Sequence, residues 1–342
     1  MLLAVKNIIF PTVNILYLSC HEVLEYDELR LLSSIDNLNI FSPGAYWDPE
    51  RGCELRPPLD LHYPPEWKEK WKTITPTTEK PDHKYHLTEE SVEPFDTVIV
   101  MHNWDWVFDN WEVIKNKRVI WRDIGQTCPP EEEANICRAK DLGVEIVRYW
   151  DGYAARDEYQ GHNAIIPFGK FKDDFPEWTG GRQAVIGMCQ SIEDRKDSCR
   201  FQCWDDSTSG MPRTMYGRSN DGLACWGGPV DYEQAIDAMV SNNAYWYGGT
   251  RPAPYTLALM EAMFVGIPIF TVRNPGWESA ASGLVSDFGL CNNSKELRQR
   301  INSALTSDRS LMEMIAKDQR AKAVKKWDSA HVINLWKDFL GL

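Results

Sequence analysis

One carboxylate stands inside an otherwise apolar helical stretch of the chain. Glu261 lies in the run LALMEAMFV, in which every other side chain is apolar. A buried carboxylate requires a cation or hydrogen-bond donors around it, because an unpaired buried charge is strongly destabilising. The loop before this stretch contains Gly248, Gly249, Pro252 and Pro254, which interrupt regular structure. Glu261 is therefore suited to accept hydroxyl groups from a ligand, and the alternative is a salt bridge within the core.

The elements around this carboxylate read as a strand, a loop, a helix and a second strand. Residues 244–247 and 267–272 suit buried strands, and 255–265 suits an apolar helix that Gly266 and Pro268 bring to an end. The first turn of a helix offers free amides and the positive end of the dipole, which favour a phosphate. A phosphate-binding turn followed by a carboxylate that accepts hydroxyls predicts a nucleotide-sugar site.

Cations follow another predicted strand in the second half of the chain. Residues 183–188 form an apolar run, and Gln190 and the pair Arg195 and Lys196 come after it. Two adjacent cations beyond a sheet strand suit a diphosphate, and the alternative is a solvated charged loop. Arg251, in the Gly/Pro loop before Glu261, is a further cation for the same site.

The first half alternates apolar strands with helical patterns, which predicts a parallel sheet. The predicted strands are 13–18, 38–41, 96–101, 118–121 and 144–149, and the predicted helices are 22–35 and 131–141. In such sheets, ligands bind beyond the carboxyl ends of the strands. Five polar residues follow strand ends and are expected around one crevice, although each alone could serve as a loop cap: His21, His102, Asp105, Arg122 and Asp123.

Residues 42–94 differ from this pattern because they are rich in proline and aromatic residues. Only 65–72 suggests a short helix. We expect an ordered lid or acceptor platform, with an aromatic loop packed on its own domain as the alternative. A cluster of five lysines in this segment could form a local basic groove, but acidic residues among them favour a solvated loop: Lys68, Lys70, Lys72, Lys80 and Lys84.

Composition limits the classes of protein to consider. The chain has 342 residues, enough for two domains, and a net charge of -13, which argues against a general nucleic-acid or anionic-membrane surface. Nine cysteines are scattered without a CxxC pair, as in reduced intracellular proteins. The apolar N-terminus is interrupted by polar residues and lacks a signal-peptide pattern. We expect a cytoplasmic protein without a transmembrane segment, and a secreted protein is the alternative.

The stretch around Glu261 resembles the signature of the retaining family-4 (glycosyltransferase group 1) enzymes. That signature is a Glu, seven residues, a second Glu, and then Ala-x-x-x-Gly-x-Pro. Glu261, Ala262, Gly266 and Pro268 match it, whereas Ala253 stands where the first Glu belongs.

Further landmarks follow the order of that family. Residues 163–171 read NAIIPFGKF, similar to its interdomain stretch, and 179–181 resemble its linker. Pro229 and Val230 stand at the turn that meets the nucleobase in the family. The run from Gln319 to Trp336 resembles its C-terminal ending.

The resemblance implies an α/β protein of the GT-B fold, with two Rossmann-like domains facing an interdomain cleft. It divides the chain into an acceptor domain over 1–178, which includes the long loop, and a donor domain over 179–326. A C-terminal helix over 327–342 crosses back to the first domain.

The resemblance also implies site roles. Glu261 would hold the donor ribose, Val230 would meet the base, and a UDP- or GDP-sugar would be the donor. The diphosphate would be bound by Gln190, Arg195, Lys196, Arg251 and the amides in the region of Pro254, Tyr255 and Thr256. His102, His21 and Asp105 would position the acceptor or the reacting sugar. No Asp-x-Asp triplet is present, so we expect a metal-independent reaction with no cofactor. The resemblance implies a hexosyl- or pentosyltransferase that retains the anomeric configuration.

Two alternatives to transfer stay open. Nucleotide-sugar epimerases share this fold, and the absence of the first Glu at Ala253 makes a non-catalytic nucleotide-sugar-binding subunit credible. The acceptor is a glycan, a small molecule or a hydroxymethylated base in viral DNA. The sequence does not identify the oligomeric state.

Overall fold

The computed structural model describes residues 12–46, 56–59, 61, 63–73, 86–273, 281–306 and 309–342. Several sequence interpretations lie outside these residues: the N-terminal apolar stretch up to residue 11, Trp47, Cys53, Lys80, Lys84, Tyr85 and most of the loop at 273–280.

The first domain contains a six-stranded parallel sheet. Its strands are β1 (Val13–Leu18), β2 (Leu38–Phe41), β3 (Thr97–Met101), β4 (Arg118–Arg122), β5 (Glu145–Arg148) and β6 (Ala164–Ile165). Their order in the sheet is β2-β1-β3-β4-β5-β6. The central strand β3 is buried along its whole length, as expected when helices cover both faces of a parallel sheet. The parallel β-α-β opening predicted from the sequence is confirmed.

The second domain contains a five-stranded parallel sheet. Its strands are β7 (Arg182–Met188), β8 (Arg213–Tyr216), β9 (Asn242–Trp246), β10 (Ile269–Val272) and β11 (Leu290–Cys291). They lie in the order β11-β10-β9-β7-β8. Both domains are therefore Rossmann-like.

The helices cover both sheets. They are α1 (Glu22–Leu32), α2 (Pro65–Lys72), α3 (Glu89–Val92), α4 (Trp104–Asp109), α5 (Trp111–Ile114), α6 (Pro129–Asp141), α7 (Lys196–Cys199), α8 (Phe201–Thr208), α9 (Tyr232–Ser241), α10 (Leu257–Val265), α11 (Ala281–Leu284), α12 (Ser294–Thr306), α13 (Arg309–Trp327) and α14 (Ser329–Leu340). The helix predicted from Tyr255 begins two residues later, because Thr256 is extended and caps it. Among the described residues, no helix is both long enough and apolar enough to span a bilayer.

Helix α1 differs from the one-sided amphipathic helix predicted over 22–35. It ends at Leu32, and its acidic residues Glu25, Asp27 and Glu28 are buried. Glu28 accepts from Tyr17 Oη (2.5 Å) and Arg122 Nε (2.9 Å). Other elements enclose α1, so its polar side chains form internal ion pairs and hydrogen bonds in place of contacts with water.

The start of the long loop is fixed to α1 as well. Glu25 accepts from Ser42 Oγ (2.7 Å) and from the Ala45 amide (3.2 Å), and burial raises the pKa of Glu25 to about 7. Farther along, Trp67 and Trp71 of α2 are buried against Phe41 and Phe95. For these residues, the loop packs on its own domain and does not form an exposed aromatic platform.

Helix α14 returns to the first domain, as the resemblance implied. It packs on α1, and Arg118 donates to the carbonyls of Phe339 (2.8 Å) and Leu340 (3.4 Å). The backbone of Lys170 holds the turn before this helix: its amide donates to Trp327 O and its carbonyl accepts from the Ser329 amide, both at 2.8 Å.

Candidate functional site

A cavity of about 520 Å³ lies at the carboxyl ends of both sheets and is lined by both domains. Its volume is in the range of small-molecule sites. Eight of the residues predicted for the site line it: His21, Gln190, Arg195, Val230, Arg251, Tyr255, Thr256 and Glu261. Of the five strand-end residues expected around one crevice, one, His21, lines this cavity.

The first turn of α10 faces this cavity. Thr256 accepts a hydrogen bond from the Leu259 amide (3.4 Å), and Thr256, Leu257 and Ala258 all line the cavity. The N-terminal amides of a helix carry partial positive charge and bind anions. This end of the cavity is suited to a phosphate.

The predicted cations are not all in the cavity. Arg195 lines it, but its neighbour Lys196 is the first residue of α7, is exposed and does not line the cavity. Arg195 alone of the pair therefore lies at the cavity, and a role of Lys196 in binding the same ligand stays a prediction.

Arg251 supplies the second cation of the cavity. Its amide donates to Ser198 O (3.0 Å), which fixes the Gly/Pro loop on the α7–α8 junction. Arg200, at that junction, donates to Val272 O (3.0 Å), and burial together with the nearby charge of Arg251 lowers its pKa. Arg251 therefore adds positive charge to the cavity, and that charge also acts on Arg200.

Glu261 forms salt bridges, which was the alternative to ligand binding in the sequence analysis, and it also lines the cavity. Lys170 Nζ and Arg56 Nη2 each lie 2.7 Å from its Oε1. Lys170 also contacts Asp27 Oδ2 at 2.8 Å. This four-residue network joins α1, the long loop, the interdomain stretch and α10. Both cations contact Oε1.

The network keeps Glu261 ionised. Burial by itself would raise the pKa of Glu261, but the charges of Lys170 and Arg56 outweigh burial and hold that pKa below its ordinary value. For Asp27, the effect of burial outweighs the charges of the same two cations, and its pKa is raised. Glu261 is thus a fixed anion at neutral pH and can accept hydrogen bonds from a ligand.

Sequence reasoning missed Lys170 and Arg56 as site residues. Lys170 could have been identified from the sequence, because it is a lone cation in the apolar run NAIIPFGKF and so requires a buried partner. Arg56 could not, since it lies in a proline-rich loop far from the second domain in sequence. Its side chain is only 8% exposed, and its guanidinium lies 4.2 Å from the centre of the Tyr232 ring.

Gly217, Val230 and Tyr232 also line the cavity. Gly217 has φ of 132°, which favours glycine, and a Cβ there would collide with the Cys189 carbonyl. The backbone after β8 is therefore packed directly against the loop after β7.

His21 is the histidine that lines the cavity. It is the N-cap of α1, and its Nδ1 accepts from the Leu24 amide (3.4 Å). Its own amide donates to Ser19 Oγ (3.1 Å). Burial lowers the pKa of His21, and the neighbouring His102 and Arg56 add to that effect, so the ring is neutral near pH 7.

The remaining strand-end residues do not line the cavity. His102 is half-buried, and burial lowers its pKa. It has a left-handed backbone (φ 65°), and its carbonyl accepts from Trp121 Nε1 (3.2 Å). Asp105 is exposed on α4. Arg122 and Asp123 are fully buried in structural contacts, Arg122 with Glu28 and Asp123 with the Gly125 amide (2.7 Å).

The helix-start residues also join the two domains. Tyr255 Oη donates to Tyr149 O (3.1 Å) across the cleft, and its ring packs on Trp327. Pro254 is buried against Gly125 of the first domain and does not line the cavity. Its predicted contact with a phosphate is therefore absent from this geometry, because its ring lies in the interface between the domains.

No protein-family model matches the sequence, and no curated protein matches it significantly. Solved structures match along nearly the whole chain. Anabaena Alr3699/HepE, in complex with UDP and glucose, has a TM-score of 0.65 at 13% identity, covering 96% of this chain and 99% of that chain. Sucrose-phosphate synthase from Thermosynechococcus elongatus has a TM-score of 0.65 at 11% identity with the same two coverages. T4 phage BGT, in complex with UDP and Mn2+, has a TM-score of 0.58 at 11% identity, covering 96% of this chain and all of that chain. These proteins share two facing parallel α/β domains with this chain, which therefore has the GT-B fold.

Proposed function

We propose that this chain is a glycosyltransferase that moves a sugar from a nucleotide sugar in the interdomain cavity to an acceptor bound against the first domain. The observation that carries the proposal is the meeting of a helix N-terminus, two arginines and a buried carboxylate in one cleft. Support comes from structural neighbours: HepE has been solved with UDP-glucose, and T4 phage BGT with UDP.

The donor diphosphate binds between the β7–α7 loop and α10. Arg195 and Arg251 supply charge, and the amides of Leu257 and Ala258 supply hydrogen bonds from the helix N-terminus. Gln190 also lines this region and offers an amide group where the family has an arginine. Lys196 lies outside and adds only long-range attraction.

The nucleoside binds at the other end of the cavity. Glu261 accepts the ribose hydroxyls, while Arg56 and Lys170 contact its Oε1 and keep the group ionised. Val230 and its neighbouring backbone meet the base. A UDP-sugar is the first donor to test because UDP occupies two of the neighbours named above.

We also propose that transfer is metal-independent, with His21 and His102 on the acceptor side. Fixed guanidinium groups and helix amides can stabilise charge on the leaving diphosphate without reorganising. Retention of the anomeric configuration follows only from the resemblance, and Ala253 leaves the cavity without the carboxylate that the family places beside the sugar.

The test is binding and turnover across UDP- and GDP-hexoses and UDP-pentoses, with and without EDTA. We expect tight binding of one donor by calorimetry and slow release of its sugar into water without added metal. The anomer released first, followed by NMR, reports retention or inversion. A chain that binds no nucleotide sugar contradicts the proposal, and full loss of turnover in EDTA contradicts the metal-independent form.

The absence of a carboxylate at Ala253 favours one second candidate, a non-catalytic nucleotide-sugar-binding subunit. It predicts donor binding without hydrolysis or transfer to any glycan, small-molecule or hydroxymethylated DNA acceptor. An epimerase would instead yield an epimeric nucleotide sugar in the same NMR assay. A DNA acceptor has less support, because Lys70 and Lys72 are paired with Glu93 (3.0 Å) and Glu69 (2.7 Å).

A further inference from the structure

Nδ1 of His21 is taken up by the cap of α1, whereas the residue as a whole lines the cavity. On the basis of the proposed function, we infer that His21 donates a hydrogen bond from Nε2 to an oxygen of the bound substrate and does not act as a general base. The side chain lines the cavity together with Val23 and Leu24 of the first turn of α1.

The helix cap assigns the tautomer. Nδ1 accepts the Leu24 amide proton, so this nitrogen carries a lone pair and no hydrogen. A neutral imidazole then carries its hydrogen on Nε2, which is a donor. The residue is held in this position at its backbone as well, since Ser19 Oγ accepts from the His21 amide and donates to the His21 carbonyl (3.4 Å).

The surroundings of the ring disfavour a second proton. Burial lowers the pKa of His21, and the charges of His102 and Arg56 act in the same direction. Glu22 and a hydrogen bond with the His21 backbone raise this pKa, but the net shift is downward. At neutral pH, the ring is therefore uncharged and is present as one tautomer.

A base would need the opposite arrangement. If Nε2 carried the lone pair, the hydrogen on Nδ1 would face the Leu24 N–H, and the cap of α1 would be lost. The first-turn amides of the 11-residue helix α1 also favour an electron-rich oxygen in front of them. The cap at Nδ1, the neutral charge of the ring and the direction of α1 thus all favour a hydrogen bond donated by Nε2.

Two substitutions separate the two nitrogens. His21→Asn keeps a cap acceptor near the position of Nδ1 and removes the donor at Nε2. His21→Gln places an amide N–H near the position of Nε2 and removes a preferred cap residue. We expect His21→Asn to unfold like wild type but to lose about 10- to 100-fold in kcat/KM. We expect His21→Gln to unfold earlier and to keep more of its activity. Wild-type kcat/KM in His21→Asn would overturn the inference.

Binding of the two variants identifies the oxygen. If His21→Asn weakens both UDP and UDP-glucose in calorimetry, the acceptor of the hydrogen bond is a phosphate oxygen. If it weakens only UDP-glucose, that acceptor is a sugar oxygen. If affinities stay constant while kcat falls, the bond forms to the acceptor substrate or in the transition state. Each of these results agrees with donation from Nε2.

The ring itself can be examined without turnover. Spectra of 15N-labelled histidine at pH 7.5, assigned by comparison with His21→Asn, should show the Nε2–H tautomer. An Nδ1–H tautomer or an imidazolium at that pH would overturn the inference. A wild-type chain that binds no nucleotide sugar would instead overturn the proposed function and the substrate contact, while the spectrum would still decide the tautomer.

Discussion

Arg195 and Lys196 are neighbours in the chain, but only Arg195 lines the cleft. Their charges are equal, so net charge and composition cannot separate them. Their positions differ because one residue precedes α7 and the other is its first residue. At the scale of residues, the direction of a side chain decides whether its charge reaches a ligand.

This difference gives a matched pair of substitutions. Arg195→Ala should weaken UDP binding by about 10-fold or more, because a hydrogen bond to a charged group contributes about 1.5–3 kcal/mol. Lys196→Ala should change affinity by less than about 2-fold, since surface charges have small effects. Calorimetric titration with UDP measures both. Equal losses from the two substitutions would show that the loop binds phosphate differently from this structure.

At the scale of elements, α10 and its C-cap combine three structural roles. Its N-terminus faces the cavity, Glu261 anchors the ion-pair network, and Gly266 ends the helix with a left-handed φ of 89°. Gly266 also lies close to the Ala316 carbonyl of α13, which a side chain would crowd. The helix is apolar on all sides because other elements surround it, so only its polar exceptions carry function.

The N-cap of α10 can be tested against another N-cap of the same type. Thr256→Ala should cost about 1 kcal/mol of stability and weaken UDP binding roughly 5-fold, because the first turn loses its fixed position. Thr88 caps α3 in the first domain in the same way, accepting from the Ser91 amide at 3.2 Å. Thr88→Ala should cost a similar stability and leave UDP affinity within about 2-fold. Equal effects of both on affinity would mean that binding follows stability rather than the cap.

At the scale of the whole molecule, Lys170 connects parts of the chain that are distant in sequence. Its Nζ binds Asp27 of the first domain and Glu261 of the second, and its backbone holds the turn into α14. Arg30 and Asp174 form a further ion pair between α1 and the interdomain stretch. Packing of α14 on α1 completes the link between the domains.

Removal of the Lys170 charge should therefore affect the whole fold. Lys170→Met leaves Asp27 and Glu261 with one cation fewer and should destabilise the protein by about 3–5 kcal/mol, measured by urea unfolding at pH 7. The loss should shrink as pH falls toward 4.5, because protonation neutralises the two carboxylates in the variant. Lys317→Met, at an exposed site on α13, is the control and should stay within about 0.5 kcal/mol of wild type. A small effect at Lys170 would mean that water or a shift of the domains replaces the ion pair.

Local pattern was enough to predict most elements of both sheets. The apolar runs and Gly/Pro breaks predicted each long strand to within about two residues, because strand burial is visible in consecutive side chains. The sequence also indicated one cleft for Glu261, Arg195, Arg251 and His21, since three of them follow strand ends in a parallel α/β fold and Glu261 lies in the helix after such a strand. Those features depend on residues that are close together in the sequence, so the sequence alone predicts them.

Tertiary structure alone decided which of these groups share a contact. Arg56 reaches Glu261 across 205 positions and Lys170 reaches it across 91, and no periodicity links such residues. The buried acidic residues of α1 belong to the same class, since their partners come from other elements. Ion pairs of this kind depend on how domains pack, whereas strands and helices depend on local spacing, and that is why the sequence determined the fold and the place of the cleft but not the partners of its charges.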